Sequence, residues 1–381
     1  MTDKQCALIN IKAFFITVAA VLALVPLINL YIDPSGIFFN RARIIAPAAS
    51  ANWTPMRHII EGKEKCHAFA FGTSRMLTWD TNELPNKPCK IMYPGKGMQS
   101  FLRGIKTLIK HNIKLNTVYI TVERGAFYNQ KRFGYKQSSA QSLDYPSNYN
   151  EIIFAYKTLL YANTFSNIKK ILEKPTIYQY PAWDKFFREP NAVLFRHLIF
   201  RWESDLGHIK WKSNQERVNA IYNLPPYASV TAYRDYKPET IAKIIKEINF
   251  LAQKHNFKVI YIRAPIFVKN IVATDKNEFF DAYKLLANLT PFYDFSYDIK
   301  YSNNPSLWID SVHYNKSVAT LVTDNLGRNN SEMTFGAYIT KDNINAHITQ
   351  FEENVHTNFL NKKPYPPNTE INKSWLKNQT N

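Results

Sequence analysis

Cysteine is scarce in this chain, with three in 381 residues and no C-x-x-C pair. That excludes zinc ribbons and thioredoxin-like redox motifs, which need closely spaced thiols. There is no Walker loop, and Gly95-Lys96-Gly97 lacks both the third glycine and the later acidic residue of a dinucleotide fingerprint. The nine histidines include no H-E-x-x-H or comparable spacing, so neither a catalytic metal nor a cofactor is expected. Acidic residues are also few, 30 against 48 Lys and Arg, for a formal net charge of +18. A surplus of that size attracts polyanions such as anionic lipid, acidic polysaccharide or nucleic acid, without choosing among them. The basic residues are scattered, as on a solvated surface, and no nucleic-acid module is visible, so nucleic acid is not expected as a partner.

One long apolar run stands out. Ala13–Ile32 reads AFFITVAAVLALVPLINLYI, twenty residues without a charge. As a helix it spans about 30 Å, the thickness of a bilayer's hydrocarbon core. Pro26 and Asn29 lie in its last third, where a membrane helix tolerates them. A cleaved signal peptide is the rival reading. Against it, the small residues at Ala46–Ser50 lie too far on, and Tyr31–Asp33 is a poor cleavage site. An uncleaved anchor is therefore expected over 13–32, after a short cytoplasmic segment at 1–12. Lys4 and Lys12 on one side nearly balance Arg41 and Arg43 on the other. The expectation of N-terminus inside and main domain outside rests on the usual behaviour of a lone N-terminal signal anchor.

Residues 33–64 read as irregular linker with short helix, and a strand–helix rhythm follows. Short apolar runs at His67–Phe71, Lys90–Tyr93, Thr117–Val122 and Lys258–Ile262 predict buried parallel strands. Another short piece ends in Tyr293-Asp294-Phe295. Phe101, Leu102, Ile105, Leu108 and Ile109 repeat at helical spacing, as do Ile241, Ile244, Ile245, Ile248 and Leu251. A last helix carries Val318, Leu321, Val322 and Leu326 and stops at Gly327. Alternation of this kind predicts an α/β domain over 65–330, a three-layer parallel sheet of flavodoxin-like type. Aromatic and basic stretches such as Tyr156–Leu172 and Ala192–Trp202 break the rhythm over 129–236, which reads as a helical insertion. Residues 331–381 read as a polar, loosely ordered tail with one helix around Asn343–Phe359. Cys66 and Cys89 each precede a predicted strand. If those strands are parallel neighbours in an oxidising compartment, the two sulfurs lie within bonding range.

Two short motifs carry chemistry. Phe71-Gly72-Thr73-Ser74-Arg75 places a serine directly after a buried strand, at the sheet's C-terminal rim, where open α/β folds bind ligands. A helix opening there presents free N–H groups to a developing negative charge. A plain N-cap serine fits the same pattern. Asp310-Ser311-Val312-His313 lies near the end of the fold. A serine nucleophile needs an imidazole base, and the imidazole needs a carboxylate to fix its tautomer. A surface Asp–His pair fits that spacing too.

Taken together and in this order, the two motifs resemble the SGNH (GDSL) hydrolase superfamily. Gly72-Thr73-Ser74 stands where that family has G-D-S, and Asp310-x-x-His313 where it has D-x-x-H. The form Gly-Thr-Ser-Arg behind an N-terminal anchor is similar to a membrane-bound branch, related to teichoic-acid alanylation and alginate acetylation proteins. The resemblance covers about 66–128 and 237–330. It implies Ser74 as nucleophile, His313 as base and Asp310 as its partner, acting as an esterase or acyltransferase on a cell-envelope carbohydrate or glycopolymer. The Ser74 amide, Gly97, Gly95 or Arg75 would then supply oxyanion donors, with Arg124 a further candidate. One departure stands against this. Where the family carries an Asn after the third strand, this chain reads Val122-Glu123-Arg124-Gly125. A catalytically silent scaffold or glycan-binding component of an envelope-modification complex therefore remains open.

Overall fold

A computed structural model of the chain describes residues 3–32, 53–62, 64–93, 97–123, 127, 214–223, 226 and 236–376. The chain divides into two compact units, Met1–Arg57 with Gln137–Ala182, and His58–Lys136 with Trp183–Asn381. Gly95, Arg124 and the helices expected at Tyr156–Leu172 and Ala192–Trp202 lie outside the described residues.

In the first unit, helix α1 runs Asp3–Ile32. It begins ten residues before the apolar run because no glycine or proline stands between Asp3 and Lys12 to break it. Within it, Ile9–Tyr31 is 23 residues long with a mean hydropathy of 2.5, enough in length and composition to cross a membrane. Its large apolar side chains, Phe14, Phe15 and Ile16 among them, point outward, unlike those of a core helix. Helix α2, Trp53–Ile60, lies within the stretch expected as linker.

The second unit holds one six-stranded sheet. Its strands are β1 Ala68–Gly72, β2 Cys89–Met92, β3 Thr117–Thr121, β4 Lys258–Arg263, β5 Phe292–Asp294 and β6 Ala337–Ile339. They lie in the order β2-β1-β3-β4-β5-β6, the first five parallel and β6 antiparallel to β5. The parallel order 2-1-3-4-5 is that of flavodoxin-like doubly wound sheets, which bind ligands beyond the C-terminal ends of β1 and β3. All five residues of β1 are buried, as a central strand covered on both faces requires.

Side chains alternate between the two faces. Phe71 meets Phe101 of helix α3, Met98–Lys110, on one face. The next described helices are α4, Asn214–Asn223, and α5, Pro238–His255. On the first face α5 packs beside α3 and accepts the Tyr261 hydroxyl of β4 at Asn249 Oδ1, 2.8 Å. After β4 come α6, Val268–Val272, and α7, Lys276–Leu289, which packs against α5. On the opposite face Ala70, Tyr119, Ile260 and Ile262 share a core with Met76, Trp79 and helix α8, Lys316–Asn325. The Cys66 and Cys89 sulfurs are joined in a disulfide with Cα atoms 6.1 Å apart. Closing a loop of that length stabilises the fold by about 3 kcal/mol in the chain-entropy view.

The helix expected around Asn343–Phe359 is present, but the expectation of an otherwise loosely ordered tail is corrected. Residues 337–376 finish the sheet with β6 and continue into helix α9, Ile344–Val355. Phe351, Val355, Leu360 and Trp375 are fully buried. The indole of Trp375 donates to the Thr274 carbonyl, 2.8 Å. Lys269 Nζ donates to the carbonyls of Tyr222, 2.7 Å, and Pro367, 2.6 Å, tying α6 to α4 and to this segment. Burial lowers that lysine to about 8. The average composition, rich in Asn and Lys, concealed the apolar residues Phe335, Ile339, Ile344, Phe351, Val355 and Phe359, all of them buried.

A polar cluster sits under the tail. Asp294 at the end of β5 accepts from His347 Nε2 of α9, 2.8 Å, and from the hydroxyls of Ser296, 2.6 Å, and Tyr283, 3.2 Å. The Arg263 guanidinium lies over the Tyr283 ring, 4.2 Å from its centroid. Burial alone would raise the Asp294 carboxyl. The bond from His347, with the charges of His347 and Arg263, outweighs burial and holds it below its ordinary value.

Two outcomes are expected. In unreduced, denatured protein a thiol titration finds Cys6 alone reactive, and all three cysteines after reduction. A carboxyl depressed on folding contributes stability above its unfolded pKa, near 4, and loses it as pH falls through the lower folded value. Asp294→Asn therefore costs about 3–5 kcal/mol at neutral pH and flattens the fall in stability below about pH 4. Urea unfolding across a pH series measures both.

Candidate active site

Ser74 stands one residue beyond Thr73 at the end of β1, where the chain leaves the sheet. A side chain at Gly72 would collide with Met76 Sδ and come within 2.8 Å of Thr121 Oγ1, so only glycine lets the turn fold back this closely. Thr73 is extended and caps the turn, its hydroxyl accepting from the Arg75 amide at 3.4 Å. The turn is shorter and tighter than the helix expected from sequence, a 3₁₀ segment over Ser74–Thr78. It ends at Trp79, whose indole donates to the Tyr314 hydroxyl, 2.8 Å, and whose carbonyl accepts from buried Lys90 Nζ, 2.7 Å. One end of the Ser74 turn is thus fastened to the residue beside His313.

His313 comes from the loop that precedes α8. A single bridge pairs Trp308 with Tyr314, and the Ile309 amide donates to the His313 carbonyl at 2.7 Å. The loop between them is organised by Asp310. Its Oδ1 accepts from the amides of Val312, 2.7 Å, and His313, 2.8 Å, leaving Oδ2 for the imidazole Nδ1 at 2.7 Å. A carboxylate only accepts, so Nδ1 carries a proton, and in the neutral ring Nε2 is left to accept. Nε2 lies 2.7 Å from Ser74 Oγ, from a residue 239 positions away in the chain. His313 is nine-tenths buried, and the relay Ser74–His313–Asp310 is continuous.

Three supports were not legible from sequence. Asn270 of α6 donates to the Ser311 carbonyl, 2.6 Å, and holds the Asp310 loop from outside. Tyr314 is pushed far above its ordinary range by burial, so its hydroxyl stays protonated beside Trp79; Arg75 draws it down and Glu123 raises it. Glu123 accepts the Thr73 hydroxyl at Oε1, and its Oε2 lies 3.7 Å from Arg75 Nε. Arg75 is thus directed at a carboxylate. Gly97 caps the N-terminus of α3 through its backbone, with no side-chain bond. The Ser74 amide makes no hydrogen bond among the described residues. Among those residues, the one group with metal-ligand spacing is Glu64, Cys66 and Cys89, whose two sulfurs are already joined to each other.

No family model and no curated protein matches this chain. What the site can do is read from its geometry. A hydroxyl bonded to a neutral, oriented imidazole can lose its proton as it attacks an electrophile. In Asp310→Asn an amide N–H replaces the acceptor at Nδ1 and inverts the tautomer, so Ser74 reactivity toward an organophosphorus probe falls by up to about 10⁴-fold. Stopped-flow labelling of the variant, with its circular dichroism unchanged, is the measurement.

Proposed function

We propose that this chain is a membrane-anchored, extracytoplasmic serine esterase or acyltransferase of the SGNH type, acting on a carbohydrate or glycopolymer of the cell envelope. The observation that carries the reading is the continuous relay at the C-terminal rim of the sheet, 2.7 Å from Ser74 to His313 and 2.7 Å from His313 to Asp310. The apolar α1 supports a membrane tether, and the N-terminus-inside orientation rests on the usual behaviour of a lone N-terminal signal anchor. The Cys66–Cys89 disulfide supports an oxidising compartment. The +18 charge suits an acidic polymer, though the naming of a glycopolymer rests on the family resemblance.

The chemistry follows from the geometry. Ser74 Oγ attacks an acyl carbonyl while His313 Nε2 takes its proton, and Asp310 stabilises the imidazolium. The oxyanion collapses, the C–O bond to the leaving alcohol breaks, and His313 returns the proton to that alcohol. Water or a sugar hydroxyl then attacks the acyl-serine, giving its proton to His313, and Ser74 departs by taking that proton back. The amides of Ser74 and Gly97 are the backbone donors this reading assigns to the oxyanion.

One observation favours a second reading. Where the family has its donor Asn, after the third strand, the stretch Val122-Glu123-Arg124-Gly125 carries none, which suits a silent scaffold or glycan-binding component of an envelope-modification complex. A fluorophosphonate probe separates the two. The proposed enzyme is labelled at Ser74, and Ser74→Ala abolishes labelling. Folded, disulfide-intact protein that resists the probe belongs to the second reading.

A further inference from the structure

We infer that Glu123 is the positioning residue of the nucleophile turn, a carboxylate that grips the residues on either side of Ser74 and so fixes the Ser74 amide as an oxyanion donor. The inference rests on the serine-nucleophile reading above. Strands β1 and β3 are parallel neighbours, with Phe71 opposite Ile120, so Gly72-Thr73 and Thr121-Val122-Glu123 leave the sheet side by side. The Val122 amide donates to the Ile262 carbonyl, 2.7 Å, which holds the β3 extension to β4 up to the residue before Glu123. The carboxylate therefore stands on a rigid base.

Each of its oxygens has a task. Oε1 accepts the Thr73 hydroxyl proton, and that commits the hydroxyl, because a threonine has one O–H to give. Its lone pair is then free for the Arg75 amide, which it receives at 3.4 Å. Oε2 faces Arg75 Nε at 3.7 Å. Thr73 and Arg75 are thereby fixed by one group, with side chains of Arg75 and Glu123 only 11% and 18% exposed. Ser74 lies between them, its hydroxyl on His313 and its amide unengaged among the described residues. A carboxylate cannot itself donate to an oxyanion. It can hold still a backbone donor that already stands on the turn, and it balances the charge of Arg75.

The test uses the full-length, detergent-solubilised protein and two readouts. The first is fluorophosphonate labelling, resolved into its maximal rate and half-saturating probe concentration. The second is amide exchange, by mass spectrometry, of the peptide spanning 73–79. Glu123→Ala is expected to lower the maximal rate by about 10–100-fold, the cost of a misplaced reacting group, with half-saturation little changed. Glu123→Gln retains an acceptor for Thr73 and recovers much of that loss. Thr73→Val combined with Glu123→Ala costs less than the product of the single effects, because both cut one network. Amides of 73–79 exchange faster in Glu123→Ala than in the parent. Parent-like labelling and parent-like exchange in Glu123→Ala overturn the inference, as does a lowered rate with unchanged exchange. Should Glu123→Ala fail to fold, Glu123→Gln and Thr73→Val carry the same comparison. If the parent protein takes no label, the nucleophile reading fails, while exchange at 73–79 still decides whether Glu123 clamps the turn.

Discussion

The central strands of this sheet are buried on both faces, so their backbone amides and carbonyls have no partner except the neighbouring strand. That constraint sets much else. It fixes β1 between β2 and β3 in strict register, with Phe69 opposite both Cys89 and Val118. Once the register is set, Cys66 comes within reach of Cys89, and the chain ends of β1 and β3 emerge together. Gly72 is the residue that lets the chain turn at that point without striking Met76.

From there the site depends on a division of labour within carboxylates. Asp310 uses one oxygen to wind its own loop and the other to orient His313, so the structural and electrostatic roles cannot be separated by removing the whole group. Glu123 divides similarly between Thr73 and Arg75. Each places two oxygens at nearly fixed separation on two targets, which makes the local geometry stiffer than single bonds would.

The far edge of the sheet is held in a different way. Arg263 is 1% exposed, and its Nε and Nη1 make no hydrogen bond among the described residues. Its charge is met instead by the faces of Tyr283, Phe279 and Phe127 and by buried Asp294. Such an arrangement costs desolvation and is sustained by aromatic packing around it. Helix α9 supplies His347 to complete the cluster, which explains why the chain after Asn330 belongs to the fold.

The periodicity of the apolar residues was enough to specify an α/β domain, and its strands fall within a residue or two of their expected places, because a buried parallel strand has to be a short unbroken apolar run. The apolar helix at the N-terminus and the two site motifs were legible for the same reason: each is a local pattern of residue types. The helix around Asn343–Phe359 was legible too, but the sixth strand and the burial of the tail were not, since β6 is only three residues long and Trp375 stands far along the chain from α7, the helix it packs beside. Nor were the contacts of Asn270 and Glu123, whose value lies in what stands opposite them. A sequence determines what each residue can donate, accept or bury. Which partner it meets across 239 positions of chain, as Ser74 meets His313, is decided when strand order and register bring distant segments to one rim of the sheet.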